Sequence, residues 1–191
     1  MASLKGTRTE KNLLAAFAGE SQARNRYTYF AGVAKKAGYE QIAAVFLETA
    51  DNEKEHAKMF FKHLEGGEVE ITASYPAGKI GDTSENLLAA ADGEKMEWTS
   101  IYKDFEAVAK EEGFDNVAET FHEIAEVEEE HEKRYRTLLK NLKEGKVFVR
   151  DNDVKWHCRN CGYVHEGKEA PKVCPACKHP QAHYEILAEN Y

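Results

Sequence analysis

Two copies of a Glu-x-x-His motif are the residues of this sequence best suited to chemistry. They are Glu53 with His56 and Glu128 with His131, and each copy interrupts an apolar stripe of helical spacing. The two stripes read Ile42, Phe46, Thr49, Glu53, His56, Phe60 and Val117, Phe121, Ile124, Glu128, His131, Tyr135. Because burial of an isolated carboxylate is costly, an acid in such a stripe requires neutralisation, a buried cationic partner or a bound metal.

Further acids at matching positions favour the metal. Glu20 and Glu94 correspond at an offset of 74 residues, and Glu97 follows Glu94 after three residues. One Glu from each of two helices, plus Glu-x-x-His from each of two others, is the ligand set of a carboxylate-bridged dimetal centre. A single Glu-x-x-His is usually part of a solvated face, but two copies in phase with apolar stripes indicate a metal site. The candidate ligands are Glu20, Glu53, His56, Glu94, Glu97, Glu128 and His131.

The residue types restrict the metal without identifying it. Carboxylate oxygens with imidazole suit iron or manganese and do not exclude zinc. The remaining acids near the motifs lie off the stripes and are expected to be solvated: Glu48, Glu55, Glu126, Glu129, Glu130 and Glu132.

Two tyrosines accompany these acids. Tyr27 and Tyr102 correspond at an offset of 75, each about two helical turns beyond Glu20 or Glu94. Their hydroxyls can donate to ligating carboxylates, and plain core tyrosines fit the spacing equally well. The offset changes from 74 to 75 between Glu94 and Tyr102, with no helix breaker nearby. One extra residue inside a helix predicts a π-bulge.

Four long helical segments carry these residues. They run approximately over 9–37, 39–66, 82–113 and 114–143, separated by glycines and by one long stretch containing Tyr75-Pro76 and Gly78. The two halves repeat each other, since residues 12–20 return as 86–94 with seven identities in nine. Two helical hairpins joined by a crossover are the connectivity of a ferritin-like four-helix bundle, here expected over residues 1–145.

The C-terminal segment carries a second metal signal. Cys158 and Cys161 form one C-x-x-C pair, Cys174 and Cys177 form another, and twelve residues separate the pairs. Four thiolates at this spacing suit a tetrahedral metal site, zinc or iron, and a domain of 155–191 is small enough to need a metal to fold. Residues 146–154 are expected to be a linker.

Composition excludes several classes of protein. The chain is 42% apolar and 31% charged, with a formal net charge of −8, which argues against nucleic acid as a partner. No apolar segment approaches the length of a membrane span, and no cysteine precedes Cys158. These features predict a cytoplasmic protein without disulfides or membrane association.

The motifs together resemble the rubrerythrin family. They are GES at 19–21, ExxH at 53–56, GExxE at 93–97, ExxH at 128–131, CRNCGYVHEG at 158–167 and CPAC at 174–177, so the resemblance covers nearly the whole chain. It implies a mainly α protein with a non-haem diiron site held by the seven candidate ligands. It also implies a rubredoxin-like mononuclear iron held by the four cysteines, and exchange of His56 for Glu97 at one iron on oxidation. Lys178 departs from free rubredoxins, which usually have glycine at this position, and the loop between the cysteine pairs is short.

The resemblance also implies a function, reduction of hydrogen peroxide in oxidative stress defence. Electrons would come from a donor such as rubredoxin or an NAD(P)H-dependent reductase. A tethered one-electron carrier suits a peroxidase better than a ferroxidase or iron-storage protein, which is the second reading. A third reading is a zinc-ribbon tail on a metal-sensing module without turnover. The expected assembly is a homodimer in which the tail of one chain serves the bundle of the other.

Overall fold

Five α-helices and one π-helical segment build the bundle of the computed structural model, which describes residues 3–190. The helices are α1 (Arg8–Lys36), α2 (Glu40–His63), α3 (Thr83–Met96), α4 (Tyr102–Glu111) and α5 (Asp115–Lys143), with the π segment at Glu97–Ile101. Since α3, the π segment and α4 are continuous, they form the third helix of a four-helix bundle. The ferritin-like bundle with one long crossover is therefore confirmed.

Local sequence explains where the helices begin and end. Thr7 caps α1, and Asp82 forms a capping box with Glu85 at the start of α3. Gly38 and Gly113 have φ of 84° and 79°, so both hairpins turn through a left-handed glycine just past a helix C-terminus. The crossover, residues 64–82, contains no helix or strand.

The π-helical segment lies where the repeat predicts an inserted residue. It spans Glu97–Ile101, between Glu94 and Tyr102, and the backbone N–H of Tyr102 donates to the carbonyl of Glu97. The prediction of a π-bulge is confirmed. Because this bond spans five residues instead of four, the inserted residue is absorbed within the turn from Glu97 to Tyr102.

Two aromatic clusters lie at either side of the candidate ligands. Tyr27, Phe30, Phe46 and Tyr135 belong to one cluster of buried residues. Phe60, Tyr102 and Phe121 belong to the other. The candidate acids and histidines therefore lie in the middle of the bundle, between the two aromatic clusters. None of the helices described in residues 3–190 has the length and apolar character of a transmembrane span.

The tail is a small three-stranded antiparallel sheet of order β2-β1-β3. The strands are β1 (Val149–Cys158), β2 (Val164–Glu169) and β3 (Tyr184–Ile186). Trp156, fully buried, pairs with His165 on one side and Ile186 on the other. The linker expected over 146–154 is wrong in part, because residues 149–154 belong to β1 and Val149 pairs with Glu169 across an irregularity. No hydrophobic alternation marks this stretch, so sequence pattern could not detect it.

Candidate metal centres

Six of the seven candidate ligands converge as two overlapping groups. The groups are Glu20, Glu53, His56, Glu128 and Glu53, Glu94, Glu128, His131, and within each the ligand atoms lie within 4.8 Å of one another. Glu53 and Glu128 belong to both. Each group would hold one cation, with Glu53 and Glu128 available to both cations and one further Glu and one His in each group.

Distances show how closely the two positions match. His56 Nδ1 lies 2.9 Å from Glu53 Oε2 and 2.9 Å from Glu128 Oε1. His131 Nδ1 lies 2.7 Å from Glu128 Oε2 and 3.3 Å from Glu53 Oε1. The internal repeat of the sequence thus becomes an approximate two-fold symmetry of the site.

The cluster carries more buried negative charge than its own cations balance. Glu20, Glu53, Glu94 and Glu128 are 0–1% exposed. Burial, with repulsion from Glu128 and Glu53, raises the pKa of Glu20 well above its usual range. Burial lowers the pKa of His56, but its contacts with Glu128 and Glu53 outweigh burial and bring the pKa to about 10. Four buried carboxylates therefore face two histidines, and metal ions would balance the excess of negative charge.

Unused acceptor atoms test whether metal ions fit. Buried oxygens without an acceptable hydrogen bond occur on all four core carboxylates: Glu20 Oε2, Glu53 Oε1, Glu94 Oε2, Glu128 Oε1 and Glu128 Oε2. His131 Nδ1 is also a buried atom without an acceptable hydrogen bond. Buried polar atoms are rarely left unpaired. Two cations would satisfy these atoms together, so the residues fit a dimetal centre.

Glu97 lies at the edge of the site and outside both four-residue groups. It is half-buried, and burial, with repulsion from Glu128 and Glu53, raises its pKa to about 8. Its side chain lines a cavity beside the bundle. Of the seven sequence-predicted ligands, Glu97 is the one that the structure does not gather with the others.

The two tyrosines donate across the halves of the repeat. Tyr27 Oη donates to Glu94 Oε1 at 2.5 Å, and Tyr102 Oη donates to Glu20 Oε1. Both rings are buried, at 0% and 2% exposure. Each hydroxyl therefore orients the terminal carboxylate of the opposite hairpin, which favours the hydrogen-bonding interpretation over plain core tyrosines.

The polar contacts of Glu132 and of Arg26 were not anticipated. Trp98, in the π segment, donates through Nε1 to Glu132 Oε2 at 2.8 Å, and Arg136 also binds Glu132. The expectation that Glu132 is solvated is wrong, since its side chain is only 14% exposed. Arg26 donates to the carbonyl of Pro76 at 3.1 Å and so fastens the crossover to α1. Sequence signals for these pairings are weak, because the partners are 34 and 50 residues apart.

The four cysteines of the tail form a second compact group. Their sulfur atoms lie within 4.8 Å of one another, with Cys158 Sγ 3.9 Å from Cys177 Sγ and Cys161 Sγ 3.7 Å from Cys174 Sγ. All four are free thiols. A backbone hydrogen bond from His179 lowers the pKa of Cys177 to about 5. Four sulfur atoms that converge in this way fit a tetrahedral metal ion.

The tail packs on the turn between α1 and α2 of its own chain. The Phe148 ring stacks on the Tyr39 ring with centroids 6.1 Å apart and an interplanar angle of 11°. The Cβ of Ala182 lies 3.7 Å from the point where a side chain at Gly38 would begin. Since His56 is 17 residues along α2 from Tyr39, this contact lies roughly 26 Å from the bundle site at 1.5 Å per residue.

Fold and sites together define a ferritin-like dimetal protein with a rubredoxin-like C-terminal domain. The family model described as rubrerythrin matches residues 11–139, and the model described as rubrerythrin, rubredoxin-like domain, matches residues 156–185. The chain belongs to the rubrerythrin family. Its cofactors are accordingly a non-haem diiron centre and one iron in the four-cysteine site.

Individual relatives agree with this assignment. The rubrerythrin of Porphyromonas gingivalis is 62% identical over 189 residues, covering 99% of this chain and 94% of that protein. The rubrerythrin of Nitratidesulfovibrio vulgaris is 59% identical over 191 residues, with full coverage of both chains. The solved structure of fully reduced, all-ferrous nigerythrin has 30% identity and a TM-score of 0.64, covering 97% of this chain and 92% of that chain.

Proposed function

We propose that the protein is a peroxidase that reduces hydrogen peroxide to water. One observation carries the proposal: two adjoining groups of Glu and His that could hold a pair of metal ions, and a group of four cysteines that could hold one more, occur in the same chain. A four-thiolate iron delivers single electrons, whereas cleavage of an O–O bond to water consumes two. Tethering the two sites allows the diiron centre to be reduced repeatedly, which an iron-storage protein does not need.

Each candidate ligand has a role in this proposal. Glu53 and Glu128 would bridge the two ions, Glu20 with His56 would complete one, and Glu94 with His131 the other. Ferrous ions held there would supply the two electrons that break the O–O bond. Tyr27 and Tyr102 hold Glu94 and Glu20 in orientation, and the two aromatic clusters exclude bulk water.

The proposal includes Glu97 as a carboxylate that binds one iron in the oxidised state. Its counterpart in the first half is Ala23, so the two metal positions are not equivalent. The harder, more charged ferric ion prefers an anionic oxygen to imidazole. Glu97 would then replace His56 on oxidation, as the resemblance to the family implies.

We further propose that electrons cross between two chains of a homodimer. The tail rests at the α1–α2 turn, about 26 Å along α2 from His56. An antiparallel partner would place its four-cysteine site beside this bundle, and two-fold symmetry would make both contacts at once. The donor to the tail would be a rubredoxin or an NAD(P)H-dependent reductase. Free thiols throughout suit a reducing, cytoplasmic compartment.

The second candidate function is iron oxidation and storage. It is favoured by likeness to a solved Desulfovibrio desulfuricans bacterioferritin, which has 26% identity, a TM-score of 0.63 and coverage of 73% of this chain. The four-cysteine tail weighs against it, because storage has no use for a tethered electron carrier.

Steady-state turnover with hydrogen peroxide, compared with dioxygen, tests the proposal. We expect the iron-loaded protein to consume peroxide faster than dioxygen, and the isolated protein to show the visible absorption of ferric four-thiolate iron. Faster consumption of dioxygen with accumulation of ferric iron would favour storage. A colourless, zinc-containing tail would favour the non-catalytic reading.

A further inference from the structure

A roofed cavity reaches the edge of the diiron site and has no role in the chemistry above. It has a volume of ≈310 Å³ and lies between α1, the π segment and the crossover residues 72–76. Glu97 and Tyr102 line it from the third helix of the bundle, and Ala73 and Pro76 line it from the crossover, which we call its roof. The cavity therefore joins the crossover to the one candidate ligand that lies outside the central groups.

The cavity is much larger than a molecule of hydrogen peroxide. A water molecule occupies about 30 Å³ in the liquid, and pockets for small organic ligands begin at roughly 300 Å³. Ile101 and Phe105 provide apolar walls beyond Glu97. A molecule of two oxygens and two hydrogens gains nothing from such walls, whereas a hydrocarbon group does.

Two departures from the internal repeat meet in this cavity. At the offset of 75, Arg26 corresponds to Ile101, and at the offset of 74, Glu97 corresponds to Ala23. Arg26, Glu97 and Ile101 all line the cavity, and Asp104 lines it as well, so its wall carries both charged and apolar side chains. The two halves of the repeat therefore differ in the side chains at these cavity-lining positions.

Gly19 keeps space open within the cavity. It lies in the interior of α1, where glycine is less favourable than alanine by roughly 0.5–1 kcal/mol. A Cβ built at Gly19 would meet no atom within 4 Å, so no neighbour excludes a side chain there. The space that the missing side chain leaves belongs to the cavity.

A second cavity touches the site but has a different character. It measures ≈570 Å³, runs along α2 and α5, and reaches only His131 among the candidate ligands. Glu130, Lys133 and Arg134 line it. Of the two cavities, only the roofed cavity is lined by Glu97.

We propose that the roofed cavity binds alkyl hydroperoxides, with the hydrocarbon group against Ile101 and Phe105 and the hydroperoxide group toward Glu97. The inference rests on the proposed peroxidase function and extends its substrate class. The O–O bond of the hydroperoxide breaks, its oxygens are reduced by two electrons, and two protons from solvent complete one alcohol and one water. The electrons come from the same donor that reduces the four-cysteine iron.

The test compares cumene hydroperoxide with hydrogen peroxide in the full-length, iron-loaded protein. Gly19→Leu fills the cavity, and Gly32→Leu is the matched control. Gly32 lies on the same helix, is exposed, and also has no atom within 4 Å of a built Cβ. Because a single methylene in an apolar pocket changes specificity about 10- to 200-fold, we expect Gly19→Leu to lower kcat/KM for cumene hydroperoxide at least about tenfold relative to hydrogen peroxide. The ratio should not change in Gly32→Leu.

Calorimetric titration with cumyl alcohol, the reduced product, gives a readout without turnover. Binding should be present in the wild type and in Gly32→Leu and lost in Gly19→Leu. If Gly19→Leu does not fold, Ala73→Leu fills the cavity from the roof and serves the same purpose. An unchanged ratio together with unchanged cumyl alcohol binding in the filled variant would overturn the inference.

The outcomes separate the two proposals. Turnover of hydrogen peroxide without turnover of cumene hydroperoxide would refute the alkyl hydroperoxide site and leave the peroxidase standing. Turnover of neither peroxide would refute the peroxidase, and loss of cumyl alcohol binding in Gly19→Leu would then still locate an organic ligand in the cavity.

Discussion

Replacing Tyr27 by phenylalanine removes one hydroxyl from the diiron site and leaves the aromatic packing in place. The ring lies between Phe46, at 6.2 Å, and Tyr135, at 5.5 Å, and neither contact involves the oxygen. The lost hydrogen bond is the one to Glu94 Oε1. Glu94 is 1% exposed, so no bulk water can replace the donor.

The size of the effect follows from the charge of the acceptor. A hydrogen bond to a buried ionised group contributes about 1.5–3 kcal/mol. Mutation of a residue that orients a metal ligand usually lowers metal affinity by roughly 10- to 100-fold. In free energy, this loss is close to the contribution of the hydrogen bond. We therefore expect Tyr27→Phe to weaken binding of the ion held by Glu94 and His131 by roughly 10- to 100-fold.

Ferrous iron affinity, measured anaerobically against a competing chelator, checks this expectation. Tyr102→Phe should weaken the other ion by a similar factor, because its hydroxyl donates to Glu20. Tyr135→Phe is the control, since its buried hydroxyl has no acceptable hydrogen bond. If Tyr27→Phe and Tyr135→Phe bind iron equally well, the hydroxyl does not support the site and the reasoning is wrong.

Three further expectations concern other parts of the chain. Glu97→Ala should lower peroxide turnover while both irons stay bound, because Glu97 lies outside both ligand groups; turnover equal to wild type would contradict its role. Mixed dimers of a Cys158→Ala chain with a Glu53→Ala, Glu128→Ala chain should recover turnover from a tail-dependent donor, and its absence in verified mixed dimers would place electron transfer within one chain. Lys178→Gly should stabilise the tail by about 1 kcal/mol, since Lys178 has a φ of 63° and only glycine adopts that region without a Cβ penalty; chemical unfolding followed by iron–thiolate absorption measures the change, and no gain would count against it.

Periodicity and repetition were enough to predict the bundle and the position of its π segment. An acid within an apolar stripe can be recognised from the sequence as a buried residue, because the rest of the stripe must be buried. The inserted residue between Glu94 and Tyr102 was visible only because the other half of the chain provides an uninterrupted copy. A chain without the repeat would not have revealed it.

Relations between distant segments could not be predicted. Nothing in the sequence says that Tyr27 donates to Glu94 and not to an acid of its own hairpin, since that depends on how the hairpins are docked. The bond from Arg26 to the Pro76 carbonyl depends on the path of an irregular crossover. Residues 149–154 pair as a strand through backbone contacts that side-chain alternation does not mark.

The exchange of hydroxyl donors between the hairpins means that neither half of the chain is a smaller working unit. The group around His56 includes Glu128 from the other hairpin, and the group around His131 includes Glu53. One hairpin alone would therefore lack a ligand for even a single ion, whereas two identical hairpins paired about a two-fold axis would supply every shared residue twice. Because the two hairpins belong to one chain, they need not have the same sequence. The second hairpin can therefore carry Glu97 where the first has Ala23, a difference that is impossible between two identical hairpins.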